Sequence, residues 1–95
     1  MSSINRSATV ARNPEVLYRE VEGETVLLDA SSGTYYTLNE TGTAIWNMIE
    51  NPTPLAVVQA KLIETFDVSH EDAWDGVLKL VAALAEQGLA AVKSG

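Results

Sequence analysis

Apolar and polar residues alternate along the first third of the chain and then change period. In Glu15 to Val21 (EVLYREV), Val16 and Tyr18 point one way and Leu17, Arg19 and Val21 the other, as a half-buried strand requires. Glu22-Gly23-Glu24 is a turn signal. Thr25 to Ala30 (TVLLDA) reads as a second strand, Ser31-Ser32-Gly33 as another turn, and Thr34 to Leu38 (TYYTL) as a third strand rich in Thr and Tyr. Connections this short leave no room for a crossover, so the pattern predicts an antiparallel three-stranded meander in order 1-2-3.

After Leu38 the apolar positions recur about every 3.6 residues. Asn39 is a good N-cap for a first helix running through Glu50, with Ile45, Met48 and Ile49 on one face and Trp46 beside it. Asn51-Pro52 ends that helix, and Thr53-Pro54 restarts the chain with Thr at the cap and Pro at the first helical position. The second helix carries a stripe of Leu55, Val58, Leu62 and Phe66. Ser69-His70-Glu71-Asp72 opens a third helix like a capping box, with Asp where Glu is preferred. That helix reaches about Gln87, and Gly88 sits where a C′ glycine belongs. Leu89-Ala90-Ala91-Val92 fits either a last short strand or an apolar tail packed on the core. The first thirteen residues are polar, small and unpatterned, so a flexible arm is expected there, and residues 93–95 form a short tail.

A length of 95 residues allows one domain and argues against two. A formal charge of −7, with six Lys and Arg spread from Arg6 to Lys93, offers no basic face for nucleic acid. Zero cysteines rule out a disulfide framework, a thiolate metal site and a cysteine nucleophile. No apolar run is long enough to span a membrane, and MSSINRSATVARNP lacks the apolar stretch of a secretory signal. A cytoplasmic monomer without metal or organic cofactor is therefore expected. Catalytic groups are scarce as well. The single histidine, His70, has Glu71 and Asp72 as sequence neighbours, but successive helical residues diverge by about 100° and do not converge on one proton. Glu71, Asp72 and Asp75 suit the positive end of a helix dipole without further duty. The composition reads as that of a protein that is not an enzyme.

The order of features from Val26 to Glu50 (VLLDASSGTYYTLNETGTAIWNMIE) is distinctive, above all the GxYYxLNxTGxxIW run at Gly33 to Trp46. Farther on come Ala73, Gly76-Val77, Leu80-Val81, Leu84 and Gly88-Leu89. The segment Leu17 to Val92 resembles the PqqD family, whose related domains recognise the leaders of ribosomally made, post-translationally modified peptides. It is more similar to the forms found with lasso-peptide biosynthesis than to the quinone-pathway protein. The resemblance implies an α+β, winged helix-turn-helix-like recognition domain over residues 14–92, with the meander followed by three helices. It also implies a non-catalytic role: the domain binds a precursor leader by strand addition and presents it to a modifying enzyme or leader peptidase of the same pathway.

On that reading the open edge of the third strand, Thr34, Tyr35, Tyr36, Thr37 and Leu38, takes the peptide, and one of the two tyrosines packs in the core. On the third helix, Val77, Leu80, Val81 and Leu84 make the core stripe. Trp74, Leu78, Ala82 and Ala85 make a second apolar line that is available to a partner. Asp75 and Lys79 flank the expected groove, where they either read leader charges or form a surface pair four residues apart. Gly76, in mid-helix, costs about 0.8–1 kcal/mol relative to Ala and asks for a reason. Trp46 is expected to be core. Two rivals remain: a structural accessory subunit of a larger enzyme, and a winged-helix DNA binder. The second is disfavoured by a third helix holding only Lys79 against Glu71, Asp72, Asp75 and Glu86.

Overall fold

The computed structural model describes residues 4–93. In chain order these form β1 (Thr9–Arg12), β2 (Val16–Val21), β3 (Glu24–Asp29), β4 (Thr34–Leu38), α1 (Glu40–Met48), β5 (Thr53–Pro54), α2 (Leu55–Phe66), α3 (His70–Glu86) and β6 (Ala90–Lys93). The meander is present as β2-β3-β4, antiparallel throughout, with Leu17 opposite Leu28 and Leu28 opposite Tyr35. Its first turn places Glu22 and Gly23 both at positive φ, 53° and 83°, the mirror-image geometry that matches the twist of paired strands. In the second turn Asp29 Oδ1 accepts from the Ser31 amide and hydroxyl, and Gly33, at φ 73°, donates its amide to the Asp29 carbonyl. The Ser31 hydroxyl bond is the main reason the Asp29 carboxyl sits below its ordinary pKa.

Alternation decides which tyrosine goes inward. Tyr36 pairs with the fully buried Leu27 and packs against the core, whereas Tyr35 stands 68% exposed on the outer face. Asn39 caps α1 as expected, its Oδ1 accepting the Gly42 amide. Ile45, Trp46 and Ile49 are buried, and Trp46 meets the Tyr18 ring edge-on at 5.8 Å. A buried hydroxyl pair seats α1 on the sheet: Thr25 Oγ1 donates to Thr43 Oγ1 at 2.8 Å. Replacing Thr43 with Val leaves the Thr25 hydroxyl without its acceptor. We expect that change to lower stability by about 1–3 kcal/mol in urea unfolding, with the slope of the transition unchanged.

The third helix is bounded as its sequence suggests. Ser69 Oγ accepts the Asp72 amide, and Gly88 at φ 74° closes a Schellman motif in which Gly88 N–H bonds Ala85 O and Leu89 N–H bonds Leu84 O. The start of α2 differs from the expectation. Thr53 is not its cap; Thr53-Pro54 pairs with Thr9 and Val10 as β5, and Pro54 precedes the helix with no side-chain bond. Backbone carbonyls do the capping instead, Ala8 O accepting from Leu55 N–H and Arg6 O from Ala56 N–H.

Those carbonyls belong to the segment expected to be a flexible arm, and the expectation is corrected here. Thr9–Arg12 is the central strand of a second sheet, β5-β1-β6, which also shows the Leu89–Val92 segment to supply a strand rather than a loose tail. Ala8 and Val10 are essentially inaccessible to solvent. Arg6 lies 4.6 Å over the Trp74 ring and donates from Nε to Gln59 Oε1, while Arg12 lies against both the Tyr18 and Trp46 rings and donates from Nε to the Trp46 carbonyl. The folded unit thus begins well before residue 14 and extends through Lys93. Residues 1–3 of the expected arm and 94–95 of the expected tail lie outside the described residues.

Candidate functional site

β4 ends its sheet, so one side of Thr34–Leu38 carries amides and carbonyls that no strand of the described residues pairs. Beside that edge runs a groove of about 310 Å³, lined by Tyr36 of β4, Gly42 and Ile45 of α1, and Gly76, Lys79 and Leu80 of α3. Asn39 and Thr41, at the junction of β4 and α1, complete the lining with hydrogen-bonding groups. Chain connectivity explains why these parts meet. The cap residue follows the strand directly, so the first turn of α1 must lie at the strand's end. Gly42 permits that approach, since a Cβ there would come within 3.2 Å of the Leu38 Cβ.

Of the residues expected to bind a peptide, the groove gathers Tyr36 and Lys79. Thr34, Tyr35 and Thr37 are exposed along β4, and the ladder register turns the backbone groups of Tyr35 and Thr37 to the free edge and those of Thr34 to β3. Leu38 is 2% exposed and belongs to the core. The helix-three assignment is shifted in phase. Leu80 was expected in the core stripe but is half-buried and lines the groove; the buried stripe is Ala73, Val77, Val81 and Leu84. Trp74, Leu78 and Ala82 lie on the opposite flank, Leu78 being about 160° around the helix from Leu80. Trp74 is there covered by Arg6. Asp75 is exposed and does not line the groove, so the Asp75–Lys79 pair does not frame it.

Asn39, Thr41, Gly42, Ile45 and Leu80 were not singled out from sequence as site residues. The first four were findable, because a helix that starts at the end of an edge strand must border that edge. Gly76 did carry a signal, its cost in a helix interior. A Cβ at Gly76 would meet no atom within 4 Å, so close packing does not account for the glycine.

Lys79 is the one charged side chain of the lining. His70 is exposed at the first position of α3, and among the described residues no three His, Asp or Glu side chains cluster so as to hold a metal. No helix of the described residues is long and apolar enough to cross a membrane. A second apolar surface lies on the outer face of the meander, where Leu17, Val21 and Tyr35 are each more than half exposed. It faces away from α3, so a chain lying there has the sheet on one side and no helix wall on the other.

Comparison with known proteins adds the following. Residues 24–90 match the family model described as coenzyme PQQ synthesis protein D (PqqD). No curated relative matches the sequence. Among solved structures, lasso peptide synthetase B1 complexed with its leader peptide is 30% identical, with 86% of this chain and 96% of that chain covered and a TM-score of 0.76. TbiB1 in complex with the TbiA(beta) leader peptide is 22% identical over 84% of this chain and 93% of that one, at a TM-score of 0.78. The PqqD part of Methylobacterium extorquens PqqCD, described as a stand-alone recognition element for ribosomally synthesised and post-translationally modified peptides, is 18% identical. It covers 94% of this chain and 95% of that one, at a TM-score of 0.77.

Proposed function

The chain belongs to the PqqD family, and from that premise we propose that it is a non-catalytic adaptor that binds the leader of a ribosomally made precursor peptide and presents it to a modifying enzyme or leader peptidase. The leader adds as a strand to the free edge of β4 and lays its inward side chains in the groove against α3. The observation that carries this reading is the coincidence of an unpaired strand edge with a groove built from three elements along the same strand. Backbone bonds along the edge supply affinity, and the groove supplies selectivity. Similarity to a B1 protein seen with its leader peptide supports the same reading.

Hydrogen exchange tests it directly. Adding the leader of its precursor peptide should protect the edge-facing amides of β4, those of Tyr35 and Thr37, and leave those of β2 unchanged. Tight binding with no added protection in β4 would place the peptide elsewhere, and no binding at all would leave a structural subunit as the better account. The single cation of the groove also implies a preference for acidic side chains in the leader. Lys79→Glu should weaken binding of an acidic leader about fivefold, the equivalent of about 1 kcal/mol for a solvent-screened pair, with the effect shrinking in high salt.

A further inference from the structure

We propose that Gly76 is the specificity-determining residue of the groove: its missing side chain makes the space into which one bulky apolar side chain of the bound peptide inserts, against Tyr36 and Leu80. This rests on the reading that the peptide docks along β4. Neither backbone nor packing calls for glycine at this position. Residue 76 lies in the interior of α3 with no left-handed conformation, and a Cβ would touch nothing within 4 Å. The space left open is the groove itself, because Gly76 lines it together with Leu80 one turn on and Lys79 beside it. Tyr36, Ile45 and Leu80 make much of the surrounding surface apolar, so a large apolar side chain fills the space without bringing in a polar group of its own that would need a partner. An added strand turns only alternate side chains toward α3, which restricts the insertion to a single register position.

The test compares wild type with Gly76→Ala and Gly76→Leu. The probe is a displayed library of random peptides selected against wild type, from which the winning peptide is made synthetically with a fluorescent label. The winner should carry a bulky apolar residue at one position, and cutting that residue to Ala should weaken wild-type binding about tenfold or more. Gly76→Ala should melt higher than wild type yet bind the winner more weakly, an opposition of stability and binding that a merely structural glycine does not produce. Gly76→Leu should bind the winner roughly ten- to hundredfold more weakly but accept the truncated peptide at least as well as wild type does. If the winner protects β4 amides from exchange and both variants bind it as wild type does, the inference about Gly76 is overturned while strand docking stands. If the winner leaves β4 unprotected, strand docking itself fails. Should Gly76→Leu not fold, Gly76→Ala decides, and unchanged affinity in that variant rejects the proposal.

Discussion

Deletion of residues 1–12 should abolish the cooperative thermal transition of the domain. The deletion removes the central strand of β5-β1-β6, so β6 loses its ladder from Ala90 to Lys93 and β5 loses both of its paired positions. It takes away Val10 and Ala8, both buried, and burial of a valine alone contributes about 1.5–3 kcal/mol. It also uncovers Trp46, whose ring faces Arg12 at 4.7 Å, and leaves the Trp46 carbonyl without the Arg12 donor. The first amides of α2 lose the Ala8 and Arg6 carbonyls that accept from them. Several effects of 1–3 kcal/mol together match the 5–15 kcal/mol that holds a domain of this size folded. Circular dichroism on heating is the measurement. A truncated protein that melts within a few degrees of the full chain would mean that the N-terminal segment rests on a domain already stable without it.

That segment also marks the boundary of what the sequence reveals. The meander was legible because β3 and β4 turn alternate residues inward, Thr25 and Leu27, Tyr36 and Leu38, and β2, although exposed beyond Val16, carries the same alternation between short turns. The ends of α3 were legible because Ser69 and Gly88 are chosen by local backbone chemistry, a side-chain cap and a left-handed C′ residue. β1 was not. It is four residues long, contains no large side chain except Arg12, and owes its place to partners more than 40 residues away in sequence, Thr53 and Val92 among them. Its composition is polar and small, but its own Arg12 and the nearby Arg6 stack on tryptophan and tyrosine rings instead of pointing into water. The start of α2 failed for the same reason: Thr53-Pro54 has the chemistry of a cap, and only the long-range carbonyls of Arg6 and Ala8 make one unnecessary.

The candidate site divides along the same line. The strand edge followed from the order of three short strands, and the tyrosine that faces inward followed once pairing with Leu27 fixed the alternation. Helix three was harder because its apolar residues cover more than half of its circumference. Trp74, Leu78, Leu80 and Ala82 are all apolar, so periodicity yields two stripes without saying which borders β4. That choice depends on how the helix is rotated over the sheet, which is set by Ala73, Val77, Val81 and Leu84 against partners on other elements. The consequence is a phase error of part of a turn. It assigns Leu80 to the core and Leu78 to the open flank, whereas the groove beside β4 is lined by Leu80, and on the proposed docking this reverses the expected result of a mutational experiment.

On the proposed docking along β4, Leu80→Asp should abolish leader binding while the domain stays folded, and Leu78→Asp should leave binding within about twofold of wild type. Leu80 is half-buried in the free protein and lines the groove, so a carboxylate there remains hydrated until a peptide covers it. Binding must then strip water from an unpaired charge, which costs about 3 kcal/mol or more and lowers affinity by more than a hundredfold. Leu80 also packs against the core, so the free variant should lose some stability; Leu80→Ala, which keeps helix propensity and introduces no charge, separates that loss from the binding effect. Leu78 is half-buried too, which makes it the matched control for exposure, but it lies on the flank of α3 turned away from β4. Val81→Asp is the control for the core: it has no solvent exposure, and the variant should not fold. Circular dichroism and fluorescence anisotropy with labelled leader read the four variants side by side. Loss of binding in Leu78→Asp with binding preserved in Leu80→Asp would put the peptide on the Trp74 side of the helix and remove the groove from its role.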